Sequence, residues 1–92
     1  MPKKPVSEYF EHCIGNPIDG REPDPELAFW LGTVARQSID EIELVKRGAD
    51  YRALLVAQLT EFKGLRFVSL ADRFGVSASA MGYQLIDLEL VK

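Results

Sequence analysis

Ser69-Leu-Ala-Asp-Arg-Phe-Gly-Val-Ser77, continued by Ala78-Ser-Ala-Met81 and on through Leu85 and Leu88, is the stretch on which the fold turns. Ser69 and Asp72 stand at capping-box spacing, a hydroxyl at the N-cap and an acid three residues on, which predicts a helix over Leu70 to Phe74. Gly75 supplies the left-handed backbone that other residues resist. Val76 is then the buried turn residue, and Ser77 caps a second helix over Ala78 to Leu88 with Met81, Leu85 and Leu88 inward. Two helices that cross steeply need a small residue where they touch, and Ala71 supplies it. They also need apolar anchors around the turn, and Leu70, Phe74, Val76 and Met81 supply those. The pattern is that of a helix-turn-helix.

Upstream, Asp50 is read as the cap of a helix over Tyr51 to Phe62. Its Leu54, Leu55, Val56, Ala57 and Leu59 leave few polar faces, as expected of a central helix. Gly64 closes it, and Leu65-Arg66-Phe67-Val68 is extended or a turn. Asp24-Pro25-Glu26 is a helix start, with an N-cap acid, proline at the first helical position and an acid at the positive end of the dipole. From there Leu27, Trp30, Leu31, Val34, Ile42 and Val45 predict one apolar stripe, with Arg36, Asp40, Glu43 and Arg47 wet, on a single helix of about 22 residues ended by Gly48. Nearer the start, Val6, Phe10, Cys13 and Ile14 fall at helical spacing, Ser7 is a candidate cap, and Gly15-Asn16-Pro17 stops the run. Residues 15–25 read as a loop. The fold expected is all-α, about five helices ending in the helix-turn-helix, with Leu90-Val91 a vestigial wing strand.

The 92 residues predict one domain, an acidic N-terminal half (1–48) of helices and loop joined to a half (49–92) of core helix and helix-turn-helix. Apolar residues are 47% and charged residues 27%, a globular rather than disordered composition. No run approaches the roughly 20 apolar residues that span a bilayer. Met1-Pro-Lys-Lys-Pro5 has no apolar stretch behind it, unlike a secretory signal. The single cysteine, Cys13, fits a reducing compartment, so the expected location is cytoplasmic. The net charge of −3 falls entirely in residues 1–48; residues 49–92 hold five acids and five bases. The concentrated positive footprint usual in nucleic-acid binders is missing.

Leu70-Ala-Asp-Arg-Phe-Gly-Val-Ser77, with Ala80-Met81, Leu85, Leu88 and Leu90-Val91 after it, resembles the C-terminal segment of the ImmA/IrrE family of phage- and stress-linked metallopeptidases. The opening Met1-Pro-Lys-Lys4 resembles, more loosely, the stretch that follows the peptidase helices in that family. The resemblance implies a stand-alone or truncated relative of the recognition part. It does not carry the enzyme over, since a zinc peptidase of that type needs two histidines one helical turn apart and a glutamate base, and His12 is the only histidine here.

No cofactor or metal is expected. His12-Cys13 lacks further Cys or His partners and reads better as a packed helix position. The acids Asp19, Glu22, Asp24 and Glu26 do not follow calcium-loop spacing and read as a solvated loop with a helix cap. Trp30 continues the apolar stripe, whereas Phe29 lies off it and suits an interface. No nucleophile–base set or phosphate loop is present, so catalysis is not expected. The second motif helix is expected to present Ser77, Ser79, Gly82, Tyr83 and Gln84 outward, with Asp87 further along. Ser, Tyr and Gln side chains hydrogen-bond base edges. Between Val76 and Val91 there is no Arg or Lys, so phosphate contacts would fall to Lys63, Arg66, Arg73 and Lys92. The leading functional expectation is a small DNA-binding regulator of transcription, of phage or mobile-element origin, acting as a homodimer. The rival is a protein-binding adaptor or inhibitor, an anti-repressor or anti-host-defence factor, that keeps the helix-turn-helix as a packing or interaction unit.

Overall fold

Side-chain caps at Asp24, Asp40, Ser69 and Ser77 set the starts of four helices. The computed structural model describes residues 3–19, 22 and 24–92, and over these the chain forms five helices and one short hairpin. Part of the loop expected at 15–25, and Met1 and Pro2, lie outside the described residues. The first helix, α1 (Lys3–Cys13), begins four residues before the expected cap at Ser7. Pro5 falls in its first turn, where a missing N–H removes no helical bond. Val6, Phe10 and Cys13 are buried as the spacing predicts, while His12, expected to pack, is exposed on the opposite face. The chain leaves α1 through Gly15 at φ +101°.

The second helix, α2 (Pro25–Ala35), starts as read: the Asp24 carboxylate accepts from the Glu26 N–H at 3.0 Å. It does not run to Gly48. Arg36 turns left-handed at φ +59°, and the Gln37 N–H donates back to the Gly32 carbonyl at 3.2 Å. Gly32 makes this reversal possible, since a Cβ there would stand 2.8 Å from the Gln37 carbonyl oxygen. A new helix, α3 (Glu41–Gln58), then begins at Asp40, whose carboxylate accepts from the Glu43 N–H at 2.8 Å. The expected 22-residue helix is thus two helices, and its stripe ends early. Ile42 and Val45 are 66% and 45% exposed, and Ile39 and Leu44 are buried in their place.

Gly48 breaks α3 as predicted, with φ +85° and ψ 170°. Asp50 is accordingly not an N-cap: it lies inside α3, in the first turn after the kink. The kink frees main-chain carbonyls of the turn before it, and the buried Arg52 guanidinium donates to those of Leu44 and Val45 and to Lys92. Burial pushes Arg52 below its ordinary pKa, and the negative charge of Asp19 opposes that.

The helix ends at Gln58 rather than Phe62. Glu61–Phe62 (β1) and Leu65–Arg66 (β2) pair antiparallel around Lys63-Gly64, both at positive φ (53° and 84°), a two-residue hairpin turn. The motif follows as α4 (Leu70–Arg73) and α5 (Ala78–Asp87). Ser69 accepts from the Asp72 N–H at 3.2 Å and Ser77 from the Ala80 N–H at 3.1 Å. Gly75 has φ +65°, and the Val76 N–H donates to the Ala71 carbonyl at 3.0 Å across the turn.

Leu90-Val91 is not a wing beside the motif. Val91 forms a parallel bridge with Ile18 of the loop after α1, the Lys92 N–H donating to Ile18 and the Ile18 N–H to Leu90, each at 2.8 Å. One apolar core joins Phe10, Leu31, Leu44, Leu59, Leu70, Met81, Leu85 and Val91, so every helix contributes to it. No helix among the described residues is long and apolar enough to cross a membrane.

Candidate functional site

The second motif helix is positioned by its contact with α3. Met81 and Leu85 are fully buried, and Gly82 is buried between them. Gly82 was expected outward. It instead faces the α3 backbone, where a Cβ would stand 3.4 Å from the Leu54 nitrogen and 3.5 Å from the Ala53 carbonyl carbon. The absence of a side chain lets the two helices approach closely, and it tilts the outward arc of α5 to Ser79, Ala80, Tyr83 and Asp87. Tyr83 is 70% exposed. Gln84 is half-buried at the edge of that arc, and Leu88 is half-buried on the inner side.

Beside this arc, Asp50, Leu54, Ser79, Gly82, Tyr83 and Ile86 line a cleft of about 140 Å³ between α3 and α5. Its floor is apolar and its rim carries one carboxylate, one hydroxyl and one phenol. Asp50 engages in no ion pair among the described residues. Asp87 lies one helical turn beyond Tyr83, on the same face.

The other residues expected to bind sit in different surroundings. Ser77 is exposed, its hydroxyl oxygen held as the α5 cap, beside Thr60, Ser69 and Asp72. Lys63, at the hairpin tip, lines a depression with Asp19, Glu22 and Asp24, its Nζ 5.5 Å from the Phe62 ring centre. Arg66 faces Glu61 across the hairpin at 3.6 Å. The Arg73 guanidinium lies 5.5 Å over the Tyr9 ring, in a depression with Pro5, Glu8 and Phe74. Tyr9 holds this corner, donating to the Val68 carbonyl at 2.8 Å and meeting Phe74 edge-on. The main-chain groups of Lys92 are taken by Ile18 and Arg52.

Ser79 and Tyr83 are therefore brought together, while Ser77, Lys63 and Arg73 each line a separate depression with acids for neighbours. Asp50 is the site residue that sequence reasoning missed. The glycine at 48 bears only on the place of Asp50 along the chain, since a break there moves the helix start upstream; that Asp50 faces α5 is set by how the two helices pack. No protein-family model, no curated protein and no solved structure gives a significant match to this chain.

Proposed function

We propose that this chain is a protein-binding helix-turn-helix module, an adaptor or inhibitor that engages its partner through the Ser79–Tyr83 face of α5. One observation carries the reading: the outward arc of the second motif helix has the carboxylate of Asp87 and no cation, and Asp50 of α3 adds a second carboxylate beside it, while Lys63 and Arg73 line depressions elsewhere. Duplex DNA carries one charge per about 1.7 Å of axis, and neutralising it supplies most of the non-specific affinity. A surface that offers these carboxylates to the groove opposes that attraction. An exposed tyrosine over an apolar floor suits a protein surface, where aromatic anchors dominate affinity.

The second reading is DNA binding, favoured by the motif geometry itself: the caps at Ser69 and Ser77, the left-handed Gly75 and the buried Ala71. In that reading a homodimer reads half-sites through Tyr83 and Gln84, with Lys63, Arg66 and Arg73 on phosphates. Descent from the recognition part of an ImmA/IrrE-like protein, a phage or mobile-element origin and a cytoplasmic location belong to the proposal under either reading. The buried lone thiol of Cys13 accords with a reducing compartment.

A paired measurement tests the choice. Fluorescence anisotropy on labelled random duplex at low salt is expected to show no saturable binding. Affinity capture from the native host is expected to retain a protein on the parent and on Arg73→Ala but not on Tyr83→Ala. Saturable duplex binding that weakens with salt, at about −0.9 per phosphate contact on logarithmic axes, overturns the protein reading in favour of DNA.

A further inference from the structure

We propose that the cleft between α3 and α5 receives an arginine side chain of the partner protein; this inference rests on the protein-binding reading above. The cleft holds about 140 Å³, well below the roughly 300–1,000 Å³ of small-molecule sites, so its occupant is a side chain rather than a free ligand. Leu54, Ile86 and the bare backbone at Gly82 offer an apolar floor for a methylene stem. The Asp50 carboxylate at the rim has no cation of its own among the described residues, and its charge asks for one. Tyr83, 70% exposed, lends a ring face against which a planar guanidinium stacks. The Ser79 hydroxyl supplies a further acceptor.

Arginine fits this set better than lysine. Its fork meets a carboxylate with two parallel bonds, and its plane lies flat on a ring, whereas an ammonium is a strongly hydrated point charge. The chain uses the same pairing nearby: the Arg47 guanidinium stands 4.2 Å over the Tyr51 ring while bonding Glu43. An aromatic face plus a carboxylate thus holds an arginine at Tyr51, the residue next to Asp50 in the chain.

The test is a backbone amide chemical-shift titration of the full chain with acetyl-argininamide, acetyl-lysinamide, acetyl-citrullinamide and acetyl-leucinamide. Argininamide is expected to move the Leu54, Ser79, Tyr83 and Ile86 resonances most, and citrullinamide, of the same shape without charge, least. Asp50→Asn is expected to weaken argininamide by about threefold and Tyr83→Leu by about fivefold. Asp72→Asn removes the same charge away from the cleft and is expected to change nothing. Equal responses to argininamide and citrullinamide, or an equal loss in Asp72→Asn, overturn the inference. Shifts in the cleft with leucinamide but not argininamide overturn it while leaving the protein-binding reading intact. No response to any of the four overturns it as well, and a response of the same resonances to random duplex removes both readings together.

Discussion

The guanidinium Nε of Arg52 donates to the main-chain carbonyl of Lys92 at 3.0 Å, and its Nη1 donates to Leu44 and Val45. One buried side chain thereby ties the kinked middle of α3 to the segment beyond α5. Leu44 and Val45 belong to the turn whose helical bonding Gly48 ends, and the bond to Leu44 is buried. Arg52→Met keeps the apolar stem and removes the donors. It is expected to lower unfolding free energy by about 1–3 kcal/mol, the cost of leaving the buried Leu44 acceptor unmet. Urea denaturation followed by far-UV circular dichroism measures it, and an unchanged midpoint would mean that the carbonyls find other donors.

Two glycines inside helices are expected to answer the same substitution with opposite signs. At Gly32 a Cβ meets the Gln37 carbonyl oxygen at 2.8 Å, and a backbone atom cannot swing aside. Gly32→Ala is expected to destabilise by about 1–3 kcal/mol despite the better helix propensity. At Gly82 the nearest atom is 3.4 Å away, an ordinary contact, so the propensity gain of up to about 1 kcal/mol prevails. Gly82→Leu, in contrast, forces α5 off α3 and costs about 1–3 kcal/mol. Thermal melts of the three variants read the order directly, and a stabilised Gly32→Ala would contradict the backbone reversal at Gln37.

Asp40→Ala separates one long helix from two. Were residues 25–47 a continuous helix, alanine would be the better helix former at 40 and the protein would gain stability. With Asp40 capping α3 through the Glu43 N–H, the variant is expected to lose about 1 kcal/mol. The sign of the change in denaturation midpoint is the measurement.

Cys13 is buried against the core, and burial pushes its thiol pKa up. Native protein is expected to react with iodoacetamide more than about tenfold slower than free cysteine, with full reactivity after denaturation. The same shift has a stability sign. A group whose pKa is higher folded than unfolded supports the fold below its unfolded value and withdraws that support as pH rises through the folded one. Stability is therefore expected to fall above the ordinary thiol value of 9.0. In Cys13→Ala that part of the alkaline decline disappears, which paired urea titrations at two pH values detect.

What the sequence disclosed followed local chemistry. The motif was legible because each feature is settled within a few residues: Ser69 and Ser77 as caps, Gly75 as the left-handed turn, Ala71 as a small buried residue. Asp24-Pro25 was legible for the same reason. The break at 36–40 was not, because apolar spacing alone ran on to Ile42 and Val45, whereas Asp40 with Glu43 already stood at capping-box spacing. The hairpin carried its own signal in Lys63-Gly64, read as a helix stop. Gly82 and Asp50 were beyond local reading. Which way they face depends on how α5 lies on α3, and that is a tertiary fact with no trace in either segment. The distribution of Lys63, Arg66 and Arg73 is likewise set by three-dimensional packing, on a hairpin and against α1.

The bridge between Ile18 and Val91 joins positions far apart along the chain, and synthesis proceeds from one to the other. At roughly 5–20 residues per second, Ile18 is made between about 4 and 15 seconds before Val91. For that interval its N–H and C=O have neither Leu90 nor Lys92 to bond, while the hairpin at Lys63-Gly64 closes on a microsecond timescale as soon as it emerges. The backbone at Ile18 is thus secured only once Leu90 to Lys92 have been made, and until then it is an open strand within reach of a chaperone or protease.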